Sequence, residues 1–347
     1  MSISSHPIHS DDIAVSQPPK GNIQPNYVLI TGPGRSGTTW LGQIMNTYKY
    51  CGYKYEPFLP SKSTPYSDWK QDLESGSIED LRGRFRILCN KCYHDVDLPP
   101  FPAKSFRTQN PKLLHLLYGL SKRFEALKPL YEWYGCTELT EQIPVLIKDV
   151  NFPNHLLPRL CEVLQPSLIP MIRNPFAQIA SYLKGVELNL FRKDHQQQVT
   201  NLMKLLDTPE GKHLSHYRDQ LKDMSVAQFE AVRWRFQVEP LVQYSHNYDK
   251  SLLVVYEDLC ADPHNKIAEI FNFVGWELDQ ASYNFIDALR SNKGKKFGPS
   301  KASFSVYRDP RTSLSKWKTQ LTDEQVQDIT SVFCESPLKS LWPDLLL

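Results

Sequence analysis

No stretch of this 347-residue chain approaches the roughly 18 consecutive apolar residues of a membrane-spanning helix, which disfavours a membrane-anchored lumenal enzyme. Nor does it begin like a secreted protein. Met1 to Asn26 is polar and proline-containing, lacks the basic segment and apolar run of a signal peptide, and reads as a disordered arm. An excess of one charge is missing too: 40 Lys and Arg against 38 Asp and Glu leave +2, which makes no case for a nucleic-acid partner. Cysteine is sparse and odd in number, and seven scattered residues suit reduced thiols in a cytoplasm better than a disulfide framework. Cys89-x-x-Cys92-x-His94 resembles half a zinc site, but a structural zinc takes four ligands and no second pair stands at suitable spacing. Ordinary thiols are the reading, and no metal site is assigned. What is present, 41% hydrophobic and 22% charged residues, is the make-up of a globular protein with one large α/β core or two smaller ones.

A glycine loop organises the chain, and it lacks something as well. Tyr27-Val-Leu-Ile30 is long enough for a buried strand, Gly32 to Thr39 reads GPGRSGTT, and Leu41, Ile44, Met45 and Tyr48 recur on one helix face. Strand, loop and helix leave backbone N–H groups converging at a helix N-terminus, where unpaired donors and the dipole favour an anion. The spacing Gly32-x4-Gly37 is that of a P-loop, with Thr39 in its serine/threonine position. Thr38, however, stands where the lysine that spans the outer phosphates of a nucleoside triphosphate should be. ATP or GTP hydrolysis is therefore disfavoured. The cation has moved to Arg35, a planar donor fork suited to an oxyanion.

Four more strands are expected, at Cys51–Tyr55, Pro144–Lys148, Leu168–Ile172 and Leu252–Tyr256. In an α/β fold their ends meet at the carboxyl edge of the sheet, where ligands bind. Glu56 follows the second strand as a candidate base, and Pro57 biases it toward an extended backbone; a solvated loop glutamate is the competing reading. Lys148 is either a cation aimed at the same edge or a surface lysine. After the fourth strand, Asn174 caps and Pro175 opens a helix with Phe176, Ile179, Ala180 and Leu183 on its apolar face and Gly185 as its stop. Arg173 and Ser181 then form a second anion site. Residues 59–142 read as an insertion with a helix from Leu113 to Leu127, and 186–249 as a run of helices. A basic loop from Lys293 to Arg311 precedes a terminal helix with a capping box at Thr322 and Gln325.

Two anion sites on one edge suggest a nucleotide with phosphates at both ends of its ribose. On these residues the sequence resembles the sulfotransferase family that uses 3′-phosphoadenosine 5′-phosphosulfate (PAPS) as donor. GPGRSGTTW is similar to that family's 5′-phosphosulfate loop, Arg173-x7-Ser181 to its 3′-phosphate site, and YEDLCADP with FNFVGW to a further block, so that the likeness runs from Tyr27 to about Leu321. It implies an α/β fold of P-loop type, with a central parallel sheet flanked by helices. A single domain over 27–347 would carry helical insertions at 59–142 and 186–249 that shape the acceptor site.

The resemblance also implies roles. Arg35, Ser36, Gly37, Thr38 and Thr39 would hold the 5′ phosphosulfate, Arg173 and Ser181 the 3′ phosphate, and Trp40 and Tyr256 the adenine; simple core is the other reading of Trp40. Arg35 replaces the loop lysine of the cytosolic branch, and that branch's RKG loop is absent, with Arg308 or Arg311 as substitutes. The arginine loop and the EPF segment look more like carbohydrate and bacterial sulfotransferases, in which a glutamate acts as base. The implied function is in-line, metal-independent sulfuryl transfer to a hydroxyl or amine of a saccharide or small molecule, in the cytoplasm. Glu56 would be the base, with Asp149 and His155 in reserve, and Lys148 and Arg35 would stabilise developing charge. The alternatives are a non-catalytic binder of adenosine 3′,5′-bisphosphate (PAP) and, less favoured, a P-loop kinase.

Overall fold

The computed structural model describes residues 27–59, 69–140, 142–191, 194–290 and 310–345. The expected arm over 1–26 and most of the basic loop, including Arg308, lie outside the described residues. Five strands pair in parallel in the order β2-β3-β1-β4-β5: β1 Tyr27–Thr31, β2 Gly52–Tyr55, β3 Val145–Lys148, β4 Ser167–Ile172 and β5 Val254–Val255. The loop-bearing strand is central. Its register sets Ile30 opposite both Lys148 and Ile169, so the loop opens between the ends of β3 and β4.

Successive β1 residues feed opposite faces. Leu29 joins a core with Ile147, Phe176, Phe229 and Trp234, while Ile30 joins one with Leu41, Met171 and Phe271. Burial on both faces is why the strands read as unbroken apolar runs. Leu29→Ala or Ile30→Ala would cost about 2–5 kcal/mol.

Local signals set the helix starts. Asn174 Oδ1 accepts from the Ala177 N–H at 2.8 Å ahead of the helix Pro175–Glu187, and the box at Thr322 and Gln325 is closed in both directions. Three elements differ from expectation by more than one residue. β5 has two residues, and Tyr256 opens the helix Tyr256–Ala261, whose Glu257 and Asp258 suit the positive end of the helix dipole. Gly185 is inside its helix: a Cβ there would lie 2.1 Å from the Phe191 ring, so the glycine serves packing. The helix expected to reach Leu127 is Pro111–Arg123, broken by extended Phe124 and resumed as one 3-10 turn, Glu125–Leu127.

Candidate functional site

The loop is shaped by contacts that only glycine permits. Gly37 has φ 98, and a Cβ there would lie 2.4 Å from the Tyr256 ring. It caps the helix Thr38–Met45 without a side-chain hydrogen bond; the Trp40 N–H already donates to the Gly37 carbonyl at 2.9 Å, so the amides that face a ligand are those of Thr38 and Thr39. Asn151, beyond β3, braces the loop: its Oδ1 accepts from the Gly34 N–H at 2.9 Å, and its own N–H donates to the Gly32 carbonyl at 3.0 Å. Ser36 is wholly buried, and its Oγ has no hydrogen-bond partner.

Arg35, Arg173 and Ser181 come together. Arg35 Nε donates to Ser181 Oγ at 3.0 Å. Arg173 donates to the Arg35 carbonyl at 3.3 Å and to the Ser313 carbonyl at 2.9 Å, with its guanidinium 4.5 Å from the Tyr256 ring centroid. Its Nε is buried without a hydrogen bond and stands 4.0 Å from the Glu257 carboxylate. Burial, then the like charge of Arg173, lowers the Arg35 pKa to about 10. Two guanidinium groups near enough for one to lower the pKa of the other favour an anion beside them.

Several supports of this cluster carry no motif in the sequence. Trp234 Nε1 donates to the Arg173 carbonyl at 3.1 Å. Glu257, its carboxyl pushed up by burial, accepts from Asn174 Nδ2 at 2.7 Å and Trp342 Nε1 at 3.1 Å. Trp40 is buried edge-on to Tyr256, with ring centroids 6.0 Å apart. Arg311 is exposed in the 3-10 turn Pro310–Ser313, the turn whose Ser313 carbonyl meets Arg173.

The β2–β3 half of the edge is built differently. Lys148 is 1% exposed and its ammonium is ion-paired with the Glu56 carboxylate, itself 13% exposed, so the surface-lysine and solvated-glutamate readings both fall. Burial pushes the Lys148 ammonium down, opposed by Glu56. The extended backbone expected of Glu56 is corrected: φ is 48. Its N–H donates to the Lys148 carbonyl at 2.5 Å and its carbonyl accepts from the Leu59 N–H at 3.3 Å, so a tertiary turn overrides the pre-proline bias. Left-handed residues other than glycine cost about 1–3 kcal/mol and cluster at functional sites. Of the reserves, buried Asp149 accepts from the Phe58 N–H at 3.0 Å, and exposed His155 lies 3.4 Å from Glu210 beside a different cavity.

Against the loop lies a cavity of about 290 Å³ lined by Arg35, Asn151, Gln178, Glu230, Arg233 and Gln237, among others. Glu230 is 3% exposed and 2.5 Å from Arg233; burial raises its pKa to about 7. A second cavity of about 200 Å³ shares Asn151 and Gln237. Among the described residues of the 59–142 segment, none lines either one.

A parallel α/β sheet whose carboxyl edge carries a glycine loop and two convergent arginines, without the Walker lysine, defines a P-loop-type protein of oxyanion-group transfer. A profile of the sulfotransferase domain matches residues 25–339, and the chain belongs to the sulfotransferase family. Carbohydrate sulfotransferase 1 of Danio rerio is 22% identical over 344 residues, 91% of this chain and 77% of that protein. Among solved structures, mouse sulfotransferase SULT7A1 complexed with PAP is 14% identical with a TM-score of 0.45, over 92% of this chain and 89% of that one. The sulfotransferase domain of the Synechococcus PCC 7002 olefin synthase is 15% identical with a TM-score of 0.44, over 90% and 96%.

Proposed function

We propose that the protein transfers a sulfuryl group from PAPS to a hydroxyl of a saccharide, in line and without a metal. The observation that carries this reading is the cluster of Arg35, Arg173 and Ser181 beside the buried, unpartnered donors Ser36 Oγ and Arg173 Nε. In this reading Arg35, Ser36, Gly37, Thr38 and Thr39 hold the 5′ phosphosulfate, and Arg173 and Ser181 the 3′ phosphate. Tyr256, with Trp40 behind it, flanks the adenine, and the turn bearing Arg311 closes the site. A transferred sulfuryl carries one negative charge where a phosphoryl carries about two, so fixed donors suffice, by analogy with phosphoryl transfer.

Glu56 accepts the proton of the acceptor hydroxyl as its oxygen attacks sulfur. The sulfur–oxygen bond to the 5′ phosphate breaks, and PAP leaves. Lys148 is ion-paired with Glu56 and, with Arg35, stabilises charge developing at the transfer point. A saccharide is favoured because the cavity beside Arg35 presents paired planar groups, the Gln178, Gln237 and Asn151 amides and the Glu230–Arg233 pair, which match vicinal hydroxyls two at a time. Its 290 Å³ is at the low end of ligand pockets, which run about 300–1,000 Å³, and suits one ring. The Danio rerio relative, a carbohydrate sulfotransferase, agrees with this class. All seven cysteines are free thiols, in keeping with a cytoplasmic setting.

PAP should raise the melting temperature equally in magnesium and in EDTA, with about 2.7 kcal/mol of linkage at a hundredfold excess over Kd. Radiolabelled PAPS should then label methyl glycosides. A melting shift seen only with ATP and magnesium would contradict the proposal.

A further inference from the structure

The described residues of the 59–142 insertion line neither of these two cavities, and its surface suggests a separate role. The helices Pro111–Arg123 and Lys128–Gly135 form a hairpin whose inner face packs Leu114 and Tyr131 around Cys92. Tyr131 donates to the Asp97 carbonyl, tying the hairpin to the body. The outer face is apolar where a surface helix is ordinarily polar. Six of the twelve large apolar side chains that the described residues leave exposed fall between Leu113 and Trp133. Leu113, Leu116 and Leu120 recur at i, i+3 and i+7, Leu130 and Trp133 at i and i+3, and Phe124 joins the helices; Leu116 is 57% exposed, Phe124 52% and Trp133 75%. Clustered exposure of this kind marks an interaction surface.

Charge selects the occupant. The hairpin's carboxylates are engaged: Glu125 pairs with Lys128 at 3.0 Å, and Glu132 accepts from the His94 N–H at 2.9 Å. Lys112, Lys122 and Arg123 are exposed cations on the same element, with Lys122 and Arg123 reaching over the Tyr118 and Phe124 rings. A second copy would set like charges against each other. An anionic lipid surface offers both complements, phosphates for the cations and an acyl boundary for the leucines and for Trp133, whose amphipathic ring suits that depth. Among the described residues no helix is long and apolar enough to cross a membrane, so the contact is with one leaflet. We propose that this hairpin docks the protein on an anionic lipid surface, independently of the donor and acceptor assignments.

Sedimentation with sucrose-loaded vesicles tests this. The full chain should pellet with phosphatidylcholine–phosphatidylserine vesicles, stay in solution with phosphatidylcholine alone, and be released by high salt. Leu116→Gln, Trp133→Ser and the pair Lys122→Glu with Arg123→Glu should each lower vesicle affinity about tenfold or more. All four positions are exposed, so the melting temperature of the free protein should stay close to that of wild type, which shows that the variants are folded. No pelleting, equal pelleting with neutral vesicles, or variants that pellet like wild type would overturn the proposal. So would a concentration-dependent dimer abolished by Leu116→Gln in protein that does not pellet, which assigns the face to a second copy.

Discussion

The two halves of the sheet's carboxyl edge use buried cations in opposite ways. On the β1–β4 half, Arg35 meets a hydroxyl and Arg173 two carbonyls, while the neighbouring Glu257 carboxylate stays 4.0 Å from Arg173. On the β2–β3 half, Lys148 is neutralised at once by Glu56. Strand-end position and burial are shared; the counter-charge differs. In the proposed reading the first half takes the donor's anionic groups, and the second holds the proton acceptor with its own counter-ion. Stability explains neither arrangement well, because buried ion pairs barely recover their desolvation cost and like charges oppose folding. The proposed function accounts for both, with a donor held on one half and a proton handled on the other.

The largest expected effect breaks the comparison on the Glu56 side. Glu56→Gln keeps the side-chain shape but removes the charge, so turnover should fall by about two to four orders of magnitude. Near-normal sulfate transfer by the variant would return the base assignment to Asp149 or His155.

A smaller effect tests the charge beside the cavity at Arg35. The Glu230 pKa is raised from 4.5 to about 7 by burial, so between those values the folded state binds more protons than the unfolded one. The resulting stabilisation, about 3 kcal/mol, is complete below the lower value and lost as pH rises through the upper one. Denaturant unfolding measured across this window should show the decline, and Glu230→Gln should flatten it. An unchanged slope in the variant would place the titration elsewhere.

Much of the edge was legible because its signals are local. A glycine loop between an apolar run and a helical period marks β1 and its anion site, and Asn174-Pro175 marks the turn that presents Arg173. What stayed hidden depends on contacts between distant segments. Asn151 reaches Gly34 across 117 residues and Trp234 reaches Arg173 across 61, and no spacing rule connects them. The backbone of Glu56 was misread because a rule about the next residue cannot include the Lys148 carbonyl. Tyr256 opens a helix although the apolar run before it reads as a strand through that position, because one apolar residue looks alike as the last of a strand or the first of a helix. Periodicity in the 59–142 insertion marks helices but not which of their faces meets the site, and the cavity beside Arg35 is lined in large part from the long helix Val226–Asn247 and the helix Pro175–Glu187.

Calorimetric titration of PAP and of 5′-AMP into Arg173→Ala and Glu56→Gln decides whether the two halves are separable. Charge-assisted hydrogen bonds of roughly 1.5–3 kcal/mol predict that Arg173→Ala weakens PAP about ten- to a hundredfold, leaving 5′-AMP within about threefold of wild type. Glu56→Gln should bind both nucleotides as wild type does. Equal loss of PAP and 5′-AMP in Arg173→Ala, or a comparable loss of PAP in Glu56→Gln, would contradict the division of the edge into a donor half and a proton half.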